Sequence, residues 1–384
     1  MEISKFRAFL QSLSEQDDKK IDELCKDIET MIHTKMPTGA PSNPSQLMSI
    51  MKDSRGFLKI ARKYLGKTVH EVTQSFHSET IRNIFASLMP ASFSAISVVM
   101  MLGTRMSGNA GYPMGGALDV IKRMETKYRS LGGKINFHAK VDEIVVKDGT
   151  VTAIQSKGVL HPADAVIAAC DAYDTLQNML GGKHAHPQLD NMLKTAPLFP
   201  PLALVSFGLN KQLNIPFSVQ YECPEGIKTP SGSTKHAFNI RSFDFDPEAA
   251  PHDCSSVMVV FEEPLEYWEK LRASNLEEYK NQKQQLADAV SSAVEKRIPG
   301  FQDAITVVDV ATPATYVRLT NVYRGSFEGF APLPSALKKG IRKTVPGLKK
   351  FCICGQWTSA GGGICSAIAS GKDAANLILK EIKR

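Results

Sequence analysis

Three consecutive glycines, Gly361, Gly362 and Gly363, stand inside the stretch "CGQWTSAGGGICSAIASGKDAANLIL", Cys354 to Leu379. They separate a short apolar run from a helical pattern. Glycine in the first turn of a helix costs about 1 kcal/mol per residue relative to alanine. Its use there calls for close approach, because a missing Cβ lets another backbone or a ligand touch the main chain. The first amides of a helix have no internal partners and carry about half a positive charge. They attract an anion or an electron-rich carbonyl edge. Tight strand–helix packing without any ligand would use the same glycines, and the motif alone leaves both readings open. Gly115 and Gly116 in "GYPMGGALDVI" repeat the arrangement ahead of a second helical pattern.

Other chemistry-bearing residues give weaker signals. His184 and His186 in "KHAHPQ" alternate like a metal pair, but no third ligand is near in sequence, so a solvated loop is expected and no metal site. "DFDPE", residues 244–248, reads as a turn with solvated carboxylates. Trp357 suits a cofactor stack or a core anchor equally. No G-x-S-x-G elbow or Cys/His nucleophile context occurs, and no residue earns a catalytic role. The seven cysteines show no zinc spacing. Cys352 and Cys354 lie two apart on an expected strand and face the same way. They read as small core hydrophobes of a reducing compartment.

The chain has 384 residues, 43% of them apolar and 22% charged, an ordinary globular composition with room for a large core. The net charge of +7 is scattered, which argues against nucleic acid and suits an anionic cofactor or membrane surface. The charged start "MEISKFRAFLQSLSEQDDKK" is no signal peptide. The long apolar run Ile84–Leu102 carries four serines and Pro90, so a buried helix pair or cavity wall is expected instead of a membrane span. These features indicate a cytoplasmic protein. Peripheral membrane contact through that run is a weaker reading.

The elements that must position the glycines follow from periodicity. The first hundred residues read as helical, with Phe6, Phe9, Leu10, Ile21, Leu24, Ile28 and Ile32 at helical spacing, a break over 37–45, and further helices over Met48–Ala61 and Val69–Phe76. An amphipathic helix is expected from Gly116 to Leu131, stopped by Gly132-Gly133. "KDGT" marks a hairpin between Val141–Val146 and Val151–Gln155, and "DAVIAAC" a strand buried on both faces. Residues 201–210, 235–240 and 255–263 read as strands of a second sheet. The segment 274–298 reads as a helix opened by a Ser274/Glu277 capping box, with Leu286, Val290, Ala293 and Val294 on one face. "AITVVDVATP" returns as a strand. "KKFCICGQW" is the last strand, followed by the glycine turn and a terminal helix.

In their order, "GYPMGGALDVIKRME", "LGGKINFHAKVDEIVVKDGTVTAIQSKGVLHPADAVIAACDAYDT", "TPATYVRLTNVYRGSFEGF" and "CGQWTSAGGGICSAIASGKDAANLI" resemble the phytoene desaturase and carotenoid isomerase branch of the flavin-dependent amine oxidoreductases. The resemblance covers roughly residues 50–384. It implies an α/β (α+β) fold, with a Rossmann-like FAD domain built from discontinuous segments and a helical, mixed-sheet substrate domain inserted between them. It divides the chain into 1–107, a helical part of the substrate domain; 108–175, the middle FAD segment; 176–311, the sheet and helices of the substrate domain; and 312–384, the C-terminal FAD segment. It places Val141 near the adenine, Gly355, Gln356 and Trp357 along the ribityl and pyrophosphate region, and Gly362, Gly363 and Ile364 at the isoalloxazine edge, with Gly361 in the same cofactor-binding turn. A flavin suits the bare amides, since reduction puts negative charge on its pyrimidine edge. The segments "ATPATYVRLTN" and "RGSFEGF" would lie close to the flavin and the cavity mouth. The implied activity is hydride removal from, or isomerisation of, an apolar polyene or isoprenoid-like substrate.

One family feature has no match. Such enzymes carry a strand, a G-x-G-x-x-G turn and a helix, with an acidic residue about twenty positions on that binds the ribose. "GTRMSGNAG" (103–111) and "GGKHAHPQ" (181–188) do not have this spacing. The chain therefore reads as an incomplete FAD-binding domain, expected to bind FAD weakly or not at all by itself. A truncated or split form, with a separate chain supplying the segment, is one reading. A non-redox remnant that binds an apolar ligand or regulates is the other.

Overall fold

The computed structural model describes residues 2–34, 48 and 53–383. In chain order its main helices open with α1 (Ile3–Leu13), α2 (Asp18–Ile32), α3 (Arg55–Tyr64), α4 (Val69–Thr73), α5 (Glu79–Leu88), α6 (Ile96–Met106) and α7 (Gly116–Ser130). Strands β1 (Glu143–Lys147), β2 (Thr150–Ser156), β3 (Val159–Pro162) and β4 (Val166–Ala168) follow, then α8 (Pro187–Thr195). Next come β5 (Leu202–Leu209), β6 (Val219–Lys228), β7 (Thr234–Ser242), β8 (Ser255–Glu262), α9 (Leu265–Ser274) and α10 (Leu276–Glu295). The chain closes with β9 (Ile305–Ala311), α11 (Pro313–Thr320), β10 (Phe351–Ile353) and α12 (Ile364–Ile382). The expected break at 37–45 and the part of the Met48–Ala61 helix before residue 53, other than Met48, lie outside the described residues.

The chain forms two compact units. The first joins residues 1–111, 140–199 and 328–384. Its helical core packs Leu10, Ile21, Leu24, Ile28, Ile60, Ile81, Phe85, Ile96 and Val99 together with Phe199 and Ala331. Helical spacing dictates this: Phe6 and Leu10 of α1 face inward, whereas Phe9 is half exposed, contrary to expectation, because it turns off that stripe. The apolar run from Ile84 to Leu102 is indeed a helix pair. It breaks between α5 and α6 around Pro90, where Ala91 and Phe93 carbonyls accept the N–H groups of His70 and Val69. Among the described residues no helix is long and apolar enough to cross a membrane.

The first unit also carries an antiparallel meander, β1-β2-β3, and a parallel pair, β10-β4. The β1–β2 turn is Asp148-Gly149, both with positive φ, 48° and 71°, as the twist of a two-residue hairpin demands. The third strand, β3, is exposed along its length and its sequence carries no alternation that announces it. In the parallel pair Phe351, Cys352 and Ile353 stand opposite Val166, Ile167 and Ala168. Strand β4 is not buried on both faces as expected: Ile167 is 39% exposed, because among the described residues β4 has a partner on one side only and no cover over that side chain. Cys352 and Cys354 do face the same way, packed with Ala374 and Ile378 of α12.

The second unit joins residues 112–139 and 200–327. Its sheet runs β6-β7-β8-β5-β9, antiparallel throughout. Ala203, Val205, Phe207 and Leu209 alternate along β5 and meet Leu286, Val290, Ala293 and Val294 of α10 in one core. Strand β6 was missed by the sequence reading, since Pro224 and Gly226 interrupt its pattern and a bulge follows Glu222. The helix cap is also corrected. Asn275 opens α10, its side chain accepting the Glu278 N–H at 3.0 Å. Ser274 instead ends α9 and donates its hydroxyl to the Lys270 carbonyl at 2.9 Å. With Asn275 available one residue on, the shift by one position is the better N-cap.

Candidate functional site

The site grows from the short strand β10. Beyond Ile353 the Cys354 N–H bonds to the Ala168 carbonyl, so the strand edge carries the chain straight into the turn. Gly355 takes φ 99° and ψ −163°, a conformation open to glycine, and a Cβ there would meet the Ala169 carbonyl oxygen at 3.4 Å. Its N–H donates to Ser370 Oγ at 3.1 Å, and Thr358 Oγ1 lies 2.8 Å from the same hydroxyl and donates to the Gly355 carbonyl at 2.9 Å. Ser370 is a buried residue of α12. The helix therefore locks the turn that leads into it. Trp357 is buried, with its ring edge-on to Phe330 at 5.3 Å, so its side chain anchors the core.

The three glycines adopt φ values of 92°, 52° and 88°. Gly361 donates its N–H to the Phe330 carbonyl at 2.9 Å. Gly362 lies against Glu328, whose Cβ and carbonyl oxygen would each be 2.7 Å from an added Cβ. Gly363, the N-cap of α12, has open space where a Cβ would stand and offers no side-chain cap. Ile364 and Cys365 behind it are exposed. Among the described residues nothing stands within 4 Å of a Cβ placed on Gly363, so the amides there keep the capacity for an anion or a carbonyl edge. Cys352, packed against Ala374 and Ile378 further along α12, is inert: burial, helped by the Glu381 carboxylate, pushes its thiol up to about 11.

Gly355, Gln356, Trp357, Gly361, Gly362, Gly363 and Ile364 thus share one turn between β10 and α12. Val141 stands elsewhere, half-buried in the extended segment ahead of β1. The glycines at 115 and 116 belong to the second unit and have a local explanation. Gly115 donates its N–H to buried Asp246 at 2.9 Å, and a Cβ on Gly116 would sit 3.1 Å from the Tyr112 hydroxyl. Asp246 is accordingly not a solvated carboxylate as expected. A hydrogen bond over so long a sequence separation leaves no local signal. His186 is not solvated either: it caps α8, its Nδ1 accepting the Leu189 N–H at 3.1 Å while Nε2 faces the Arg342 carbonyl at 2.9 Å. Among the described residues no cluster of metal-ligating side chains occurs. Glu328 and Ser370 were not singled out by sequence, although "RGSFEGF" containing Glu328 was.

A parallel strand running into a glycine turn and a helix, beside a β-meander, and an antiparallel five-stranded sheet in a second unit define a flavoprotein oxidoreductase fold. An oxidoreductase from Methanosarcina mazei superposes with a TM-score of 0.54 at 15% identity, covering 98% of this chain and 75% of that one. A redesigned putrescine oxidase superposes with a TM-score of 0.57 at 14% identity, covering 96% and 76%.

The chain belongs to the flavin-containing amine oxidoreductase family, whose profile matches residues 51–379. It is 26% identical over 286 residues to the lycopene-forming phytoene desaturase of Pseudescherichia vulneris, covering 71% of this chain and 56% of that protein. It is 23% identical over 300 residues to the chloroplastic prolycopene isomerase of Arabidopsis thaliana, covering 75% and 48%. The chain spans about half the length of the curated relatives it matches. The resemblance to the desaturase and isomerase branch, the mixed α/β fold and FAD as the family's class of cofactor all stand on these findings.

Proposed function

We propose that this chain forms part of an FAD-dependent oxidoreductase that removes a hydride from, or isomerises, an apolar polyene or isoprenoid-like molecule. The observation that carries this is the uncapped glycine turn between β10 and α12, with open space at Gly363. In this reading the amides from Gly362 to Ile364 hold the carbonyl edge of the isoalloxazine, while Gly361 ties the turn to Phe330. The Gly355–Trp357 turn runs along the ribityl and pyrophosphate region, and Val141 supplies backbone contact near the adenine. When bound, the flavin accepts or returns the hydride; the protein orients it and sets the field around it. The names of the phytoene desaturase and prolycopene isomerase relatives support the substrate class. The division into segments 1–107, 108–175, 176–311 and 312–384 belongs to the same proposal.

The pyrophosphate needs more than this turn. A separate strand–glycine-turn–helix segment, pairing with the free side of β4, would supply it. The one-sided pairing of β4, the exposed Ile167, and the exposed Ile364, Ile368, Leu379 and Ile382 of α12 support that partner. FAD binding by this chain alone is then weak. Peripheral membrane contact, for a protein resident in the cytoplasm, is best placed on α7, where Leu118, Ile121, Met124 and Tyr128 are all exposed on one face.

The deciding experiment is a titration with FAD, followed by flavin absorbance, of the purified chain with and without a polypeptide carrying a family G-x-G-x-x-G segment. Binding that tightens at least tenfold with the segment supports the reading. Tight binding without it removes the need for a partner. A chain that stays colourless in both arms overturns the flavin assignment.

A further inference from the structure

Among the described residues the Glu328 side chain abuts the glycine turn and makes no hydrogen bond or ion pair. Its place is fixed from three sides. The turn stands against its Cβ through Gly362, with an added Cβ 3.2 Å from Glu328 Cγ. The next residue, Gly329, accepts the Phe199 N–H at 2.9 Å, and a Cβ on it would meet the Gln356 carbonyl at 3.2 Å. Phe330 then accepts the Gly361 N–H. The groups packed here, Gly361–Gly363, Gln356, Trp357, Phe330 and Phe199, are all uncharged. The Glu328 carboxyl is half-buried and makes no hydrogen bond or ion pair with any described residue. Burial alone pushes its titration above the ordinary carboxylate range.

We propose that Glu328 is a positioning residue of this site which couples occupancy of the glycine turn by an anionic ring edge to uptake of a proton. The inference rests on the flavin reading above and extends it to regulation. Charged, the carboxylate opposes negative charge at the opening turn of α12, with only part of that opposition screened by solvent because Glu328 is half-buried. Protonated, it removes that opposition and can donate a hydrogen bond. Reduced flavin, with its negative pyrimidine edge, is the ligand state the coupling favours; oxidised flavin, neutral there, feels it little. The proton comes from solvent, so no further reactant enters.

The test uses the full chain with the added G-x-G-x-x-G polypeptide, as wild type and Glu328→Gln. Oxidised and dithionite-reduced FAD are titrated anaerobically from pH 5.5 to 8.5. For the wild type, affinity for reduced FAD falls by about tenfold per pH unit above the carboxyl's titration, as one linked proton requires. The Gln variant loses that slope, and oxidised FAD shows little slope in either protein. Equal slopes for the two proteins overturn the proposal while leaving the flavin reading intact. A second readout needs no flavin. The infrared difference between wild type and Glu328→Gln, followed from acid to neutral pH, contains the carbonyl stretch of a protonated carboxyl that persists above the ordinary carboxylate range and fades as pH rises. A spectrum without that band overturns the proposal whatever the titrations give. Failure of both proteins to bind FAD overturns the flavin reading and the coupling with it.

Discussion

Glu328 occupies the space that a side chain on Gly362 would need, its Cβ and carbonyl oxygen each 2.7 Å from where that Cβ would lie. Gly363, one residue on, faces nothing within 4 Å. The two glycines therefore separate packing from binding. Gly362→Ala adds overlap to the strain of its φ of 52° and should cost about 2–4 kcal/mol of stability. Gly363→Ala carries the strain alone, about 1–3 kcal/mol, yet places a methyl where the ring edge is proposed to lie. Denaturant unfolding paired with FAD titration should show Gly362→Ala as the larger loss of stability and Gly363→Ala as a loss of affinity of tenfold or more.

The pH dependence of folding reports on Glu328 without any ligand. Its folded-state titration lies above that of the unfolded chain, so the folded state binds the extra proton. The stability this contributes is present below the unfolded pKa of 4.5 and is lost as pH rises through the raised folded value. Thermal melts of wild type and Glu328→Gln from pH 4.5 to 8 should diverge, the variant gaining relative to wild type as pH increases. Parallel curves would place the carboxyl in ordinary solvent.

The exposed face of α7 gives a surface test. Leu118, Ile121, Met124 and Tyr128 are 49–65% exposed, flanked by Lys122 and Lys127. Ile121→Glu with Met124→Glu should leave folding stability within about 0.5 kcal/mol. The same pair should abolish co-sedimentation with vesicles rich in anionic phospholipid. Unchanged sedimentation would remove α7 from any membrane role.

Thiol reactivity should divide the cysteines by burial. Cys170 and Cys365 are exposed, whereas Cys352 is buried and pushed up to about 11 and Cys354 is raised by burial too. Iodoacetamide at pH 8, read by peptide mass spectrometry, should label Cys170 and Cys365 within the time that leaves Cys352 and Cys354 untouched. Binding of FAD with the added segment should slow Cys365, the second residue of α12.

What sequence disclosed and what it hid differ in range. The glycine turn, the α10 face and the Asp148-Gly149 hairpin rest on neighbouring residues, and each was legible. The features it missed depend on partners far along the chain. Asp246 is held by Gly115, and His186 is read by Arg342 through a carbonyl; neither pairing leaves a local mark. His186 did carry one usable sign, the proline that follows it, which suits the first helical position after a cap. Ser274 lost the cap to Asn275 because two eligible residues adjoin, and only the geometry of the preceding helix decides between them. Glu328 stood in a quoted motif, but its isolation is a property of the folded neighbourhood.

The pairing of β10 with β4 has a consequence for synthesis. Val166 waits for Phe351, and residues 200–327 are translated between the two. The proposed cofactor cradle consequently cannot close until Phe351 has been made, and long-range parallel pairing of this kind closes slowly. A ribosome stalled before Phe351 would have made the whole of the second unit but not the proposed cradle. Flavin occupancy of the proposed cradle would then report that translation had passed β10 and α12.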